Sequence, residues 1–322
     1  MYRASIVICV YNRAFFIRKC LDSVFSQDLE GFEVIVVDDG STDGTAGILD
    51  EYAGEERLKV LKNEKNIGLM KSRNIGARAA DSDIVAYVDS DCVANAGWLR
   101  KLVEPFGADP EIAVVGGRIL DPPIKSYWEL LDKGRYKIAA ESGYVRRIIG
   151  TNMAIRKEIL LDNPFSEVLK YGADETDLCL RLVKAGYRVY YCDEAEVVHF
   201  HRVTAAGAVK QSFLLGVGNC WVRFKHGIFP YLSLRSIILL LILLVLFFCP
   251  DRAKTACSVF LILVFVLAVF LQDAGKGEKS PKELITALPG RILLAVTNSA
   301  GYFYGVFKYL GILLSEKTGK GS

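Results

Sequence analysis

The 322-residue chain is poor in histidine, methionine and tryptophan, with three of each, and it has no charge excess of either sign. Forty Lys and Arg against 37 Asp and Glu leave a formal charge of +3. That balance excludes the strongly basic surface of a nucleic-acid binder, and no nucleic-acid partner is expected. With 24% charged and 52% hydrophobic residues, the chain also lacks the composition of a disordered tail. Its eight cysteines include no C-x-x-C pair, which argues against zinc and against a disulfide framework. They read as small buried hydrophobes in a reducing compartment. Nothing at the amino terminus reads as an address, since the apolar stretch Ser5 to Val10 is short and no small-residue cleavage site follows it.

Long hydrophobic runs are not lacking, and they sit at one end. Ser236 to Pro250 carries no charge; extended back across Arg235 to Tyr231, with that arginine snorkelling, it spans about 20 residues or about 30 Å of helix. After Asp251 to Lys254 comes a second uncharged run, Thr255 to Gln272, about 27 Å as a helix. A third, Ile292 to Phe307, holds Thr297, Asn298, Ser299 and four aromatics, and reads as a weaker span or an interfacial helix. Arg223, Lys225 and Arg235 precede the first run, and Lys276, Lys279, Lys282 and Arg291 separate the second from the third. By the positive-inside rule both groups are cytosolic, although Arg252 and Lys254 occupy the opposite loop. The expected organisation is a soluble domain over residues 1–227 facing the cytosol, a multi-pass membrane region over 228–314, and a polar tail over 315–322.

The soluble part alternates in period. Short β-branched runs at Ser5 to Val10, Phe32 to Val37, Leu58 to Leu61, Ile84 to Val88 and Ile112 to Val115 are separated by helix-length segments near Arg13 to Ser26, Gly44 to Glu51 and Gly68 to Ala80. This βαβ order predicts an α/β fold with a mostly parallel, Rossmann-like sheet, whose ligands lie at the carboxyl ends of its strands. Those ends are acidic: Asp38, Asp39 and Asp43 follow one strand, Asp89 and Asp91 another. Asp-Gly-Ser-Thr-Asp-Gly is also good turn and capping chemistry. Asp89 and Asp91 are harder to explain blandly, because two carboxylates at i and i+2 after an apolar strand repel each other unless a cation lies between them.

Taken in order, Ser5 to Arg13, Val36 to Thr45, Asn66 to Gly76 and Asp89-Ser90-Asp91, followed by Gly150 to Arg156, Asp174 to Tyr187 and Val197 to Arg202, resemble the motifs of a family 2 glycosyltransferase of the GT-A fold. The resemblance covers about 200 residues. It implies a nucleoside diphosphate sugar as donor and Mn²⁺ or Mg²⁺ as cofactor, a metal that a carboxylate and imidazole set suits. It further implies that Asp39, with Asp38, receives the nucleotide base, that Arg73 holds the nucleotide end, that Asp89 contacts the ribose or the metal, and that Asp91 and His199 ligate the metal. His199 and His201 alternate, so at most one points into the site, and His199 is preferred. The general base expected from the family is an acid of the Asp174-Glu175 pair. Spacing from Leu178-Cys-Leu-Arg-Leu puts Glu175 in that position and Asp174 second, in an order that departs from the family's acid-then-Asp pattern. Acids here also suit a helix start, and Asp177 with Arg181 reads as an i, i+4 helix pair. Arg146 and Arg147 fit a phosphate contact and a solvated basic turn equally well.

The expected activity is inverting, metal-dependent sugar transfer to a membrane-associated, lipid-linked glycan acceptor, since a soluble donor gives no reason to tether the enzyme to a bilayer. Several envelope and surface glycan routes fit. A processive polysaccharide synthase would carry Gln-x-x-Arg-Trp before its membrane helices, whereas Trp221 here follows Cys220. A nucleotidyltransferase would want a glycine-rich and basic loop where Tyr11, Asn12 and Arg13 stand. An inactive membrane-bound partner subunit would have lost the carboxylates that Asp39, Asp89 and Asp91 retain.

Overall fold

The computed structural model describes residues 3–138, 141–169, 172–200, 204–228, 234–248, 251–275, 277 and 279–317. In chain order the elements are β1 (Ala4–Val10), α1 (Ala14–Phe25), β2 (Phe32–Asp38), α2 (Thr45–Asp50), β3 (Leu58–Lys62), α3 (Leu69–Ala79), β4 (Ile84–Val88), β5 (Cys92–Ala94), α4 (Trp98–Ala108) and β6 (Ile112–Leu120). They continue as α5 (Tyr127–Asp132), β7 (Gly143–Val145), β8 (Asn152–Arg156), α6 (Lys157–Asp162), α7 (Asp174–Lys184), β9 (Arg188–His199), α8 (Ala205–Lys225), α9 (Leu234–Phe248), α10 (Asp251–Ala274) and α11 (Pro281–Lys317). The chain divides into two compact units: residues 1–123 with 136–201, and residues 124–135 with 202–322.

In the first unit the strands run β3-β2-β1-β4-β8-β6-β9-β5, with β7 on β9. All five expected strands and all three expected helices form. β3, β2, β1 and β4 are parallel; β2, β1 and β4 are buried on both faces, as continuous apolar runs require, whereas β3, at the edge, is only partly buried. Ile6 and Ile8 pack on one face with Ile17, Leu21 and Val24 of α1, which recur at helical spacing. On the other face α3 lies against β1 so closely that a Cβ at Gly76 would fall 2.3 Å from Val7 Cγ1.

The sheet is mixed beyond β4. Antiparallel β8 inserts between β4 and β6, pairing Val88 with Asn152 and Gly116 with Met153. Because β8 starts at the edge where β4 ends, Thr151 arrives beside Asp89. Asn152 is buried there and satisfied, receiving a hydrogen bond from Trp98 Nε1 at 2.8 Å and donating to the carbonyls of Arg118 and Ala195 at 3.0 and 2.8 Å.

Gly40 ends the turn after β2 at φ +75°, where a Cβ would lie 2.6 Å from the Lys65 carbonyl carbon. No side chain fits without moving backbone. Gly40→Ala is expected to destabilise the fold by about 1–3 kcal/mol, the scale of a strained left-handed residue. Thermal unfolding checks this, and an unchanged Tm would mean that the loop around Lys65 yields freely.

In the second unit α8 and α11 pack at small residues. A Cβ at Gly216 would meet the Asn298 carbonyl oxygen at 2.0 Å, and one at Gly301 the Phe213 carbonyl oxygen at 2.0 Å. Ser212 Oγ donates to the Leu294 carbonyl at 2.6 Å, and Asn298 Nδ2 to that of Ser212 at 2.9 Å. α5 starts with a capping box between Ser126 and Glu129 and packs Leu131 with Ala208, Ala287 and Leu294. Arg291 donates to the Leu131 carbonyl at 3.0 Å and pairs with buried Asp273 at 2.7 Å.

Packing divides the chain near residue 201, with α8 and the stretch 124–135 both in the second unit. Asp251 to Lys254, expected as a connection, form the first turn of α10. Among the described residues α10 alone is long and apolar enough to cross a membrane, through Cys257–Ala274 at mean hydropathy 2.4. Ile237–Leu246 of α9 is a shorter apolar stretch, and Ile292 to Phe307 lies within α11. The start of the first run near Tyr231, its end at Pro250, and residues 318–322 of the tail lie outside the described residues.

Candidate active site

The carboxyl ends of β2, β1 and β4 lie side by side, and with them the residues that follow. Asp38 accepts a hydrogen bond from the Ser41 amide at 2.9 Å, and Asp43 from the amides of Ala14 and Thr45 at 3.2 and 2.9 Å. These two do the turn and capping work that their residue types favour. Asn12, at φ 53°, ties the end of β1 to the same turn by accepting from the Thr42 amide at 2.8 Å. Asp39 is 4% exposed. Its carboxylate accepts from Asn63 Nδ2 and from the amides of Ile67 and Gly68, each at 2.9 Å, and so fixes the loop leading into α3.

Asp89 and Asp91 are each met by side chains of the chain itself. Asp89 accepts from Thr151 Oγ1 at 2.9 Å and Arg73 Nη2 at 3.1 Å. Burial, foremost, and the neighbouring Asp91 raise its pKa against the pull of Arg73 and His199. Asp91 lies 3.4 Å from Arg13 Nε on one oxygen and 3.4 Å from His199 Nε2 on the other. Ligating atoms of Asp91, His199 and Cys92 fall within 4.8 Å of one another. Burial holds the Cys92 thiol well above its ordinary pKa, and the donors that best suit a hard divalent metal are the carboxylate oxygen and the imidazole nitrogen. That set fits Mn²⁺ well and Mg²⁺ through the carboxylate. Asp89 is outside this cluster, its oxygens turned to Thr151 and Arg73. The Tyr136 ring stands edge-on to His199, with centroids 4.8 Å apart. His201 lies outside the described residues.

The acids of α7 stand nearby. Asp174 is 3% exposed and receives Arg73 Nη1 at 2.5 Å. Glu175 is half-buried; burial, foremost, and Asp174 beside it push its carboxyl up to about 8, against the opposing pull of Arg73. Asp177 pairs with Arg181 at 3.0 Å as the i, i+4 spacing predicts. Arg146 and Arg147 are exposed. Arg73, expected at the nucleotide end, is 3% exposed and turned toward acids on both sides of the site. Sequence reasoning singled out neither Arg13, Thr151 nor Tyr136 for the site. Arg13 was findable as the last residue of the first strand end, and Thr151 as a member of the Gly150 motif, whereas Tyr136 has no local signal.

The comparisons with known proteins agree with this layout. The model of glycosyl transferase family 2 matches residues 5–162, and that of glycosyl transferase family group 2 matches residues 84–272. The pre-mycofactocin glycosyltransferase of Mycobacterium tuberculosis is 34% identical over 69% of this chain and 48% of its own length, so the chain spans about half of that relative. The dolichyl N-acetyl-alpha-D-glucosaminyl phosphate 3-beta-D-2,3-diacetamido-2,3-dideoxy-beta-D-glucuronosyltransferase of Methanococcus voltae is 25% identical over 94% of this chain and 97% of its own. Among solved structures, the mannosyltransferase PcManGT of Pyrobaculum calidifontis, in complex with GDP-Man and Mn²⁺, has the same fold, with a TM-score of 0.60, 20% identity and coverage of 93% of this chain and 88% of its own. With matched models running from the first strand into α10 and a GT-A-like sheet beneath the acidic rim, the chain belongs to glycosyl transferase family 2.

Proposed function

We propose that this protein transfers a sugar, with inversion and with a divalent metal, from a nucleoside diphosphate sugar to a membrane-associated, lipid-linked glycan acceptor. The observation that carries the reading is the Asp91–His199 carboxylate and imidazole pair at the carboxyl edge of a parallel sheet, close to a half-buried acid at the start of α7. Asp91 and His199 would hold Mn²⁺ or Mg²⁺, which when bound supplies Lewis-acid stabilisation of the departing diphosphate. In this reading Asp39, with Asp38, receives the nucleotide base, and Asp89 contacts the ribose. Glu175 takes the proton of the acceptor hydroxyl as its oxygen bonds to the anomeric carbon and the bond to the diphosphate breaks. A carboxyl held near pH 8 is a stronger base than an ordinary glutamate, and is matched to a weakly acidic hydroxyl.

The membrane part of the reading rests on α10 and on the charge of its flanks. In this reading α9 crosses together with α10, so that Arg223 and Lys225 before the pair and Lys276, Lys279, Lys282 and Arg291 after it share the side of the catalytic unit, and the positive-inside rule favours the cytosolic face of the cell membrane for that side. The name of the Methanococcus relative supports a lipid-linked acceptor.

The test is a thermal-shift screen of the detergent-solubilised full chain with UDP, GDP, CDP and ADP, each with and without Mn²⁺. A matched nucleotide at 100 times its Kd is expected to stabilise the fold by about 2.7 kcal/mol, and only with the metal. If no nucleoside diphosphate moves the Tm in the presence of Mn²⁺, the reading fails.

A further inference from the structure

Arg73 is not placed as a ligand-binding arginine would be. Its side chain is 4% exposed and both ends of its fork are engaged. Nη1 donates to Asp174 at 2.5 Å, and Nη2 donates to Asp89 at 3.1 Å and to the Gly150 carbonyl at 2.9 Å. The rings of Tyr87 and Phe165 lie 5.7 and 5.5 Å from the guanidinium carbon, and the Tyr87 hydroxyl donates to the Arg73 carbonyl at 3.0 Å. The next residue, Asn74, clasps the segment ahead of α7, donating to the Phe165 carbonyl and accepting from the Phe165 amide, each at 3.0 Å. Two consecutive residues of α3 thus fix the approach to α7 and its first residue. Gly150 leaves room for this: a Cβ there would fall 3.0 Å from Arg73 Nη1 and 3.4 Å from Glu175 Cβ.

We infer that Arg73 is a positioning residue that braces the donor-side carboxylate Asp89 against the first turn of α7, with Asp174 as its fixed end, so that Glu175 alone is presented to the acceptor. The inference deepens the transferase reading and rests on it for the role of Glu175. It also separates the two adjacent acids. Asp174 is locked on a buried guanidinium by a charge-assisted bond and cannot turn to a substrate without leaving Nη1 of that buried cation unsatisfied, a costly state. A guanidinium can span two carboxylates and a carbonyl at once, whereas an ammonium cannot keep that fork. The charged and titratable groups facing Glu175 are Asp174 on its own helix, Arg73 from α3 and the neutral Cys179 thiol one turn on; Arg147, ahead of Gly150, acts on that thiol.

The full chain in detergent is titrated by infrared spectroscopy, following the carbonyl stretch of the protonated Glu175 acid, assigned by its loss in Glu175→Gln. Asp174→Asn is expected to lower the midpoint by about 1 pH unit or more, the usual reach of a removed neighbouring charge. Arg73→Lys keeps the charge and loses the fork. Its midpoint stays near that of the wild type, while Mn²⁺-dependent release of UDP from UDP-glucose, or of GDP from GDP-mannose, falls at least about tenfold. An unmoved midpoint in folded Asp174→Asn, or undiminished release by Arg73→Lys, overturns the inference. Should Asp174→Asn not fold, the double variant with Arg73→Gln removes both buried charges together. Its midpoint is then expected to fall, since Asp174 acts on Glu175 more strongly than Arg73 does, and an unmoved midpoint overturns the inference. A wild type that releases neither nucleotide counts against the transferase reading, and the midpoints still judge the brace.

Discussion

Glu175→Gln is expected to lower turnover by about 10²–10⁴-fold, the range for a general base, with the thermal shift on nucleotide and Mn²⁺ largely kept. The wild type should show a matching pH dependence. In the proposed mechanism the ionised carboxyl is the base, and burial with the Asp174 charge pushes Glu175 up to about 8, so kcat/KM should rise as pH rises through that value. Stability should run the other way. A carboxyl whose pKa is higher in the folded chain than its ordinary 4.5 favours folding most when protonated, and that contribution is lost as pH rises between 4.5 and about 8. Glutamine cannot ionise, so the variant should hold its Tm at alkaline pH better than the wild type. Turnover within threefold of the wild type would remove Glu175 from the chemistry and return attention to Asp174.

Asp91→Ala should have an effect of similar size by a different route. It removes the carboxylate that faces His199, so donor binding and turnover fall together, and the stabilisation of about 2.7 kcal/mol expected at saturating nucleotide disappears. His199→Ala should show the same pattern more weakly, since the carboxylate remains. The contrast with Glu175→Gln, which spares binding, is the useful reading of the pair. An Asp91→Ala protein that still answered to Mn²⁺ would remove the metal site from this rim.

Much of the catalytic unit was legible because its signals are local. Ile84–Val88 forms over the very residues predicted, because five consecutive apolar residues bounded by polar turns have no better use than a buried strand. The pairing of Asp177 with Arg181 was legible for the same reason. β8 was not, since its partner β4 is some 64 residues earlier and nothing in Asn152–Arg156 marks an antiparallel insertion. Nor was the resolution of the Asp89 and Asp91 repulsion. The expected answer was a cation between them, but the chain brings Arg73 and Thr151 to one and Arg13 and His199 to the other. These groups share the repulsion with any bound cation, and the case for a metal rests on donor type and spacing as well. Spacing put Glu175 ahead of Asp174, and what sets the two apart in the structure is burial and a guanidinium 101 residues from its partner in sequence.

The polypeptide leaves the catalytic unit at Pro123, forms α5 among the helices that follow residue 202, and returns at Tyr136 before leaving for good after residue 201. Three covalent passages join the units where a tail anchor would need one. Truncation ahead of α8 would therefore strip Leu131 of Ala208, Ala287 and Leu294 and leave Arg135 without Gln211, turning α5 into an orphaned greasy flap on an otherwise intact enzyme. A water-soluble version would have to be excised twice, once after residue 201 and once by joining Pro123 to Tyr136 through a short polar linker.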